Sequence, residues 1–461
     1  MTAYTDTLVR YLHGLTFEQL PEAAVSKTKE LVLDYLGYAS SAAREEPAAI
    51  LWEILLALGG RPESTVIAHA PRTSCVHAAF LNGAMGHMTE LDDTHRQTQS
   101  HVGDSVIAAA LAVAERGRLG GRAALVAIVA GYEAAIRIGE SVMPTHYVKG
   151  WHPSGTINTF GAAVAAGLLL GLDRERLRHA LGLAGAQVAG NFAHIRSRGM
   201  AKDFNPGRAA ANGVLAALLA ERGFSGSTDV IENEYGFWKL YADNVVPECI
   251  TGDLGRHFKV LEVAHKPAPG CRCLHPSRDA VLDLTERHGI VAGAVEGITL
   301  RIYSQGAKWV DDPEPWGAGK GMYGPRFSVQ FNVALAVLEG RPGIRGLFEH
   351  DYMARKLADP AIRQMMGRVT VVHDDELMRE FPHKWSSVVD IKTRDGQVVS
   401  QRVDYPKGEP ENPMTHDELL DKYRILATRV FSEDRAEEIA KAAERLETLA
   451  DVGDLMALLG G

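Results

Sequence analysis

Apolar positions recur at helical spacing through most of the first 262 residues. The spacing predicts a helix over 23–40, where Val25, Leu31, Leu33 and Leu36 repeat at three- to four-residue intervals. An alanine-rich run predicts another over 105–116, with Asp104 or Ser105 as its cap. Further helices are expected over 122–142, 156–170, 174–189 and 208–222, and glycine stands near their ends, as at Gly171 and Gly223. Small residues on so many successive helices imply close helix–helix approach and a compact bundle.

The pattern changes near residue 263. Residues 295–302 and 368–373 alternate as strands do, and 388–393 and 398–403 flank Arg394-Asp395-Gly396-Gln397, whose Asp-Gly pair signals a hairpin. A helical piece, 328–339, lies between them. After Pro406-Lys407-Gly408 and Pro410-Glu411-Asn412-Pro413, helical spacing returns over 415–431 and 435–449. The expected organisation is a helical domain over 1–262, an α+β domain over 263–403, and C-terminal helices over 404–461.

A net charge of −9 argues against nucleic acid as the main partner. The four cysteines, Cys75, Cys249, Cys271 and Cys273, make no disulfide framework. The start, Met1-Thr2-Ala3-Tyr4-Thr5-Asp6, lacks the basic and apolar regions of a signal peptide. A reducing cytoplasm is therefore expected. The longest apolar stretches, 123–138 and 160–172, read as core helices: the first carries Glu133 and Arg137, and the second is too short to span a bilayer. There is no P-loop, no G-x-G-x-x-G between strand and helix, and no G-x-S-x-G elbow.

Four polar segments interrupt this apolar background. The first, Glu90-Leu91-Asp92-Asp93-Thr94-His95 with His101 beyond it, places three carboxylates and two imidazoles in twelve residues. Charge at the edge of a core is costly unless paired or used. The cluster can be a turn network, an acid–base or ligand-anchoring site, or a metal site using Asp92, Asp93, His95 and His101, although it has no H-x-x-x-H pair. The second, Lys149-Gly150-Trp151-His152-Pro153-Ser154-Gly155-Thr156, sets His152 before a helix start, where backbone N–H groups favour an anion. It reads equally well as a surface loop. In the third, Lys202 and Arg208 flank Pro206-Gly207, either as an anion-friendly helix start or with Lys202 and Asp203 as a plain surface pair. The fourth runs from His265 to Pro276. Cys271, Cys273 and His275 could hold a soft metal only with a further ligand, whereas Lys266, Arg272 and His275 would add positive charge to a cleft between domains.

Together these segments resemble the MmgE/PrpD family of 2-methylcitrate dehydratase, cis-aconitate decarboxylase and iminodisuccinate epimerase. The resemblance rests on Asn82-Gly83, Leu91-Asp92-Asp93-Thr94-His95, Gly150-Trp151-His152-Pro153-Ser154-Gly155-Thr156, Phe160-Gly161-Ala162-Ala163, and Lys202 with Pro206-Gly207-Arg208-Ala209-Ala210. Lys266-Pro267, His275-Pro276, Arg326-Phe327-Ser328, Lys407-Gly408 and Asn412-Pro413 complete it. It covers nearly the whole chain.

The resemblance implies a mainly α fold: a large all-helical domain built from both ends of the chain, plus a smaller α+β lid. It also implies a homodimer and a cleft site for small di- or tricarboxylates, with no organic cofactor; from the ligand spacing, no metal is expected. The family's site residues carry over onto Asp93, Thr94, His101, His152, Lys202 and Lys266. Three departures stand out: Glu90 where the family often has aspartate, Asn205 where a histidine is common, and Val102-Gly103 after His101.

Dehydration, epimerisation and decarboxylation all develop negative charge beside a carboxylate. Lys202 and Lys266 are the expected holders of that charge, and His101 and His152 the expected proton carriers. Asp93 would orient a histidine, and Thr94, Glu90, Arg272 and His275 would contact substrate. The leading expectation is a lyase of the dehydratase type. An epimerase, a decarboxylase and a noncatalytic carboxylate-binding scaffold are the alternatives.

Overall fold

The computed structural model describes residues 3–194, 199–316 and 323–461, and the chain is mainly α. Contacts divide it into two compact units. The first joins Met1–Ala193, Met200–His265 and Thr415–Gly461; the second comprises Lys266–Met414 together with His194–Gly199. The C-terminal helices thus belong to the same unit as the N-terminal ones.

The longer helices of the first unit are α1 (Tyr4–His13), α2 (Glu22–Ala42), α3 (Glu46–Leu58), α4 (Cys75–Met88), α5 (Val102–Gly117), α6 (Gly121–Glu140), α7 (Pro153–Leu169), α8 (Arg174–Gly185) and α9 (Ala201–Glu221). The second unit contributes α10 (His275–His288) and α11 (Val329–Gly346), after which α12 (His416–Ala427) and α13 (Glu433–Glu444) return to the first. α12 opens with a capping box between Thr415 and Glu418 and packs on α2.

Three helices start earlier than their sequence pattern suggests. α5 begins at Val102, directly after His101. α7 begins at Pro153, directly after His152, because proline at the first helical position gives up an N–H that would be unpaired anyway. α9 begins at Ala201 and carries Pro206 inside it, which forfeits only the bond from residue 206 to the carbonyl of Lys202. α3 and α4 have no counterpart in the periodicity. Both are apolar on most sides, so no polar stripe reveals them.

The bundle packs backbone against backbone where α4, α6, α7 and α9 meet. A Cβ on Gly207 of α9 would lie 2.5 Å from the Phe80 carbonyl oxygen of α4, and one on Gly161 of α7 would lie 2.6 Å from the Gly131 carbonyl oxygen of α6. Glycine is required at both crossings because the obstacle is main chain and cannot rotate away.

A small antiparallel pair in the first unit joins β1 (Thr94–His95) to β2 (Val263–Ala264), and the second unit is built on a four-stranded sheet. β3 (Val295–Tyr303) runs parallel to β4 (Val369–Asp374) and antiparallel to β5 (Ser387–Thr393), which forms a hairpin with β6 (Val398–Val403). Gly396 turns that hairpin with φ of 89°. α10 packs on β5 and β6. No helix among the described residues is long and apolar enough to cross a membrane.

Gly207→Ala is expected to destabilise the fold by about 1–3 kcal/mol through overpacking. Gly293→Ala, where a Cβ meets nothing within 4 Å, should be nearly neutral. Thermal melts of both variants check this, and equal melting temperatures would contradict the close-approach account.

Candidate active site

Four helix ends of the first unit bring the polar residues together. His87 lies in the last turn of α4, His101 and His152 stand immediately before α5 and α7, and Lys202 occupies the first turn of α9. The His87 ring centroid is 4.9 Å from that of His101 and 5.5 Å from that of His152. The α5 and α7 starts are tied directly. His101 N–H donates to Ser154 Oγ at 3.1 Å, and Asn158 Nδ2 donates to the His101 carbonyl at 2.7 Å.

The connection from α4 to α5 is buried from Thr89 to Ser100, apart from Arg96 and Gln97. Glu90 adopts φ of 57° and Gln99 φ of 52°, a left-handed backbone that costs an L-residue about 1–2 kcal/mol. Such conformations persist only where surrounding contacts hold them. Here Lys422 of α12 donates to the Leu91 carbonyl at 2.8 Å while pairing with Asp34 of α2 at 2.7 Å. Asp34 also accepts from His265 Nδ1 at 2.9 Å, just ahead of Lys266. Burial opposes the charge on Asp34, but Lys422 and His265 together hold its carboxyl below the usual range.

Asp92 is the hub of the cluster. Its Oδ2 lies 2.7 Å from both His87 Nδ1 and His101 Nδ1, so each ring presents an Nδ1–H to it. His101 Nδ1 also lies 2.7 Å from the Asp93 carbonyl oxygen. This leaves His101 Nε2 as the nitrogen that can take a proton, on a side chain that retains 16% exposure. On the other face of His87, Nε2 accepts from Lys202 Nζ at 2.5 Å. Burial, and then the Lys202 charge, push His87 down to about 3, so the ring is neutral. Lys202 Nζ is also 2.5 Å from Glu90 Oε1. His152 Nδ1 accepts from Asn205 Nδ2 at 2.9 Å, with the amide oriented by this network, which assigns the His152 proton to Nε2.

The remaining residues divide between this cluster and other contacts. Asp93 turns its carboxylate away, accepting from Tyr132 OH at 2.6 Å and from Gly103 N–H at 3.1 Å. The histidine-orienting role expected of the Asp93 side chain falls instead to the Asp92 carboxylate and the Asp93 carbonyl. Thr94 Oγ1 is 3.5 Å from His101 Nδ1. His95 bonds to Thr98 and to Glu262 Oε2 at 2.9 Å, away from the three histidines. Lys266, Arg272 and His275 lie in the second unit and are fully or almost fully buried. Arg272 pairs with Glu409 at 2.8 Å and donates to His275 Nδ1 at 2.9 Å. Burial, and then Arg278 and Arg272, hold His275 well below its usual range.

Of the metal set suggested by the sequence, only Asp92 and His101 converge, and His87 replaces the others. Among the described residues, His87–Asp92–His101 and His95–Glu140–Glu262 are the groups whose ligand atoms gather within 4.8 Å. In the second, the Lys259 ammonium already bridges the carboxylates, at 2.9 Å from Glu140 and 3.0 Å from Glu262. In the first, two imidazoles and a carboxylate form a set suited to a divalent transition metal, but their 2.7 Å separations are those of N–H···O bonds.

The sequence pattern did not single out His87, Tyr132 or Lys422, and read Asp104 only as a helix cap, whereas it lies inside the first turn of α5. Asp104 Oδ2 lies 2.9 Å from His87 Nδ1, and burial, followed by the Asp92 charge, pushes its carboxyl well above the usual range. His87, five residues before Asp92, offered a faint local signal. Lys422 lies 331 residues from the carbonyl it holds and offered none.

Comparison with known proteins places this arrangement in context. The model of the MmgE/PrpD N-terminal domain matches residues 6–249, and that of the MmgE/PrpD C-terminal domain matches 268–448. A cis-aconitate decarboxylase of Aspergillus terreus is 27% identical over 99% of this chain and 95% of its own length. The cis-aconitate decarboxylase of Mus musculus is 26% identical over 100% and 94%. A 2-methylcitrate dehydratase of Cupriavidus necator is 27% identical over 61% and 59%.

Burial raises the Asp93 carboxyl to about 7, despite the opposing bonds from Tyr132 and Gly103. The folded protein therefore keeps a proton that the unfolded chain releases near pH 4. The stability gained from that proton is complete below about pH 4 and is lost as pH rises through about 7. Asp93→Asn should flatten the fall in melting temperature between pH 5 and pH 8; parallel wild-type and variant curves would contradict this.

Proposed function

The chain belongs to the MmgE/PrpD family, and on that premise we propose that it is a lyase acting on a small di- or tricarboxylate by proton transfer beside a carboxylate. The observation that carries this reading is the pair of Nδ1 contacts by which Asp92 orients His87 and His101. A carboxylate behind Nδ1–H stabilises the imidazolium that forms when Nε2 takes a proton. His101 is accordingly the general base.

In the dehydratase form, His101 Nε2 removes the proton next to the substrate carboxylate, and Lys202 and Lys266 hold the enediolate charge. The C–O bond then breaks, and the departing hydroxyl takes the Nε2 proton of His152 to leave as water. Asn205 supports this role, because its amide on His152 Nδ1 directs the proton to Nε2. Asp93 acts from behind, through its carbonyl on His101. Thr94 and Glu90 complete the substrate contacts, and Arg272 and His275 brace the segment next to Lys266. The reading calls on no organic cofactor.

A second form, decarboxylation, is favoured by the likeness to cis-aconitate decarboxylases, which extends over nearly the full length of both chains. There the substrate carbanion left by carbon dioxide would take its proton from a histidine of the same group. Epimerisation, with His101 and His152 on opposite faces of one carbon, is the third form. We also read the protein as a homodimer, since α3 exposes Ile50, Ile54 and Leu58 at 46%, 55% and 68% on one apolar face.

The test is a panel of hydroxy-, imino- and unsaturated di- and tricarboxylates followed by proton NMR in deuterated water. Loss of water with vinylic product signals marks dehydration, carbon dioxide marks decarboxylation, and label in recovered, scrambled substrate marks epimerisation. No turnover across the panel would leave the carboxylate-binding scaffold as the reading. With an active substrate, His101→Asn should lower kcat by about 100-fold or more while the protein stays folded. Undiminished turnover in that variant would remove His101 as the base.

A further inference from the structure

The Lys202 ammonium is already matched by a negative charge from the protein. Glu90 Oε1 lies 2.5 Å from Lys202 Nζ, with side-chain exposures of 2% for Glu90 and 9% for Lys202, so water screens the pair poorly. Neutral His87 accepts from the same ammonium and adds no charge. Glu90 is held there on a left-handed backbone, φ 57°, which a long L side chain adopts only against a cost. Asp92, the next carboxylate along the loop, is buried beside His87 and His101. The loop therefore brings two carboxylates to the cluster that holds Lys202.

We propose that Glu90 determines specificity by occupying on Lys202 the place of one substrate carboxylate, so that the site selects dicarboxylates over tricarboxylates. Lys202 then divides one positive charge between Glu90 and the reacting carboxylate, and a third substrate carboxylate brought beside them would be repelled strongly, since like charges at such distances are poorly solvated here. A hydroxyl, carbonyl or imine group meets no such repulsion. This inference rests on the proposed reading only in placing the substrate beside Lys202; it is independent of which bond is broken.

The experiment is calorimetric titration of two inert probes, propane-1,2,3-tricarboxylate and glutarate, into wild type, Glu90→Gln, Glu90→Asn and Glu90→Asp. Two charge-removing variants are used because asparagine tolerates the left-handed backbone better than glutamine, and thermal melts confirm folding. Either one should move the affinity ratio toward the tricarboxylate by about 10-fold or more, and Glu90→Asp, whose carboxylate falls one methylene short of Lys202, should move it the same way by less. An unchanged ratio in a folded charge-removing variant would overturn the proposal, as would a ratio in Glu90→Asp that moves toward glutarate. If neither probe binds wild type or any variant, the carboxylate reading of the site itself fails, and this inference with it. Binding of both probes with an unmoved ratio sinks the inference alone.

Discussion

Everything at this site depends on helices approaching closely enough for backbone to touch backbone. At the α4–α9 and α6–α7 crossings, Gly207 and Gly161 leave no room even for a methyl group. Wider crossings, such as larger side chains impose, would carry the helix ends apart by more than a hydrogen bond can span. The close approach instead brings His87, His101, His152 and Lys202, each on a different helix end, into one cluster. The small residues of the core and the polar residues of the site are thus parts of one geometric solution.

Burying so many ionisable groups together is tolerable because each charge is either matched or suppressed. Lys202 is matched by Glu90, and Lys422 by Asp34. His87 stays neutral, burial pushes Asp104 well above its usual range, and Asp93 is raised to about 7. Asp92 bonds the two Nδ1 atoms and so fixes the orientation of both rings at once. Lys422 gives the C-terminal return of the chain a purpose beyond packing, since it reaches the Leu91 carbonyl in the middle of the site loop.

Local pattern disclosed a good part of this. Periodicity located α2, α6 and α8 to within a few residues at their starts, and the Asp395-Gly396 turn between β5 and β6 followed from its dipeptide. It failed for α4, whose apolar faces leave no stripe, and so it passed over His87. The start of α9 was placed too late because a Pro-Gly pair reads as a beginning, whereas here one lost backbone bond is absorbed within the helix. Asp93 and Asp92 are adjacent and chemically identical, and nothing local distinguishes the one that orients histidines from the one sealed against Tyr132.

The sequence by itself determined the mainly α class, the change of texture near residue 263, the family, and the segments that carry the chemistry. The class and the change of texture follow from composition and short-range spacing, which act within a turn or two of chain, and the family from the resemblance of its short motifs. Tertiary structure decided which carboxylate serves the histidines, that Lys202 is paired with Glu90, and that Lys422 and Asp34 brace the loop between them. Those outcomes depend on which helix ends meet and on what burial does to each charge. Both are set by contacts across scores to hundreds of residues, a range over which adjacent sequence carries no geometric information.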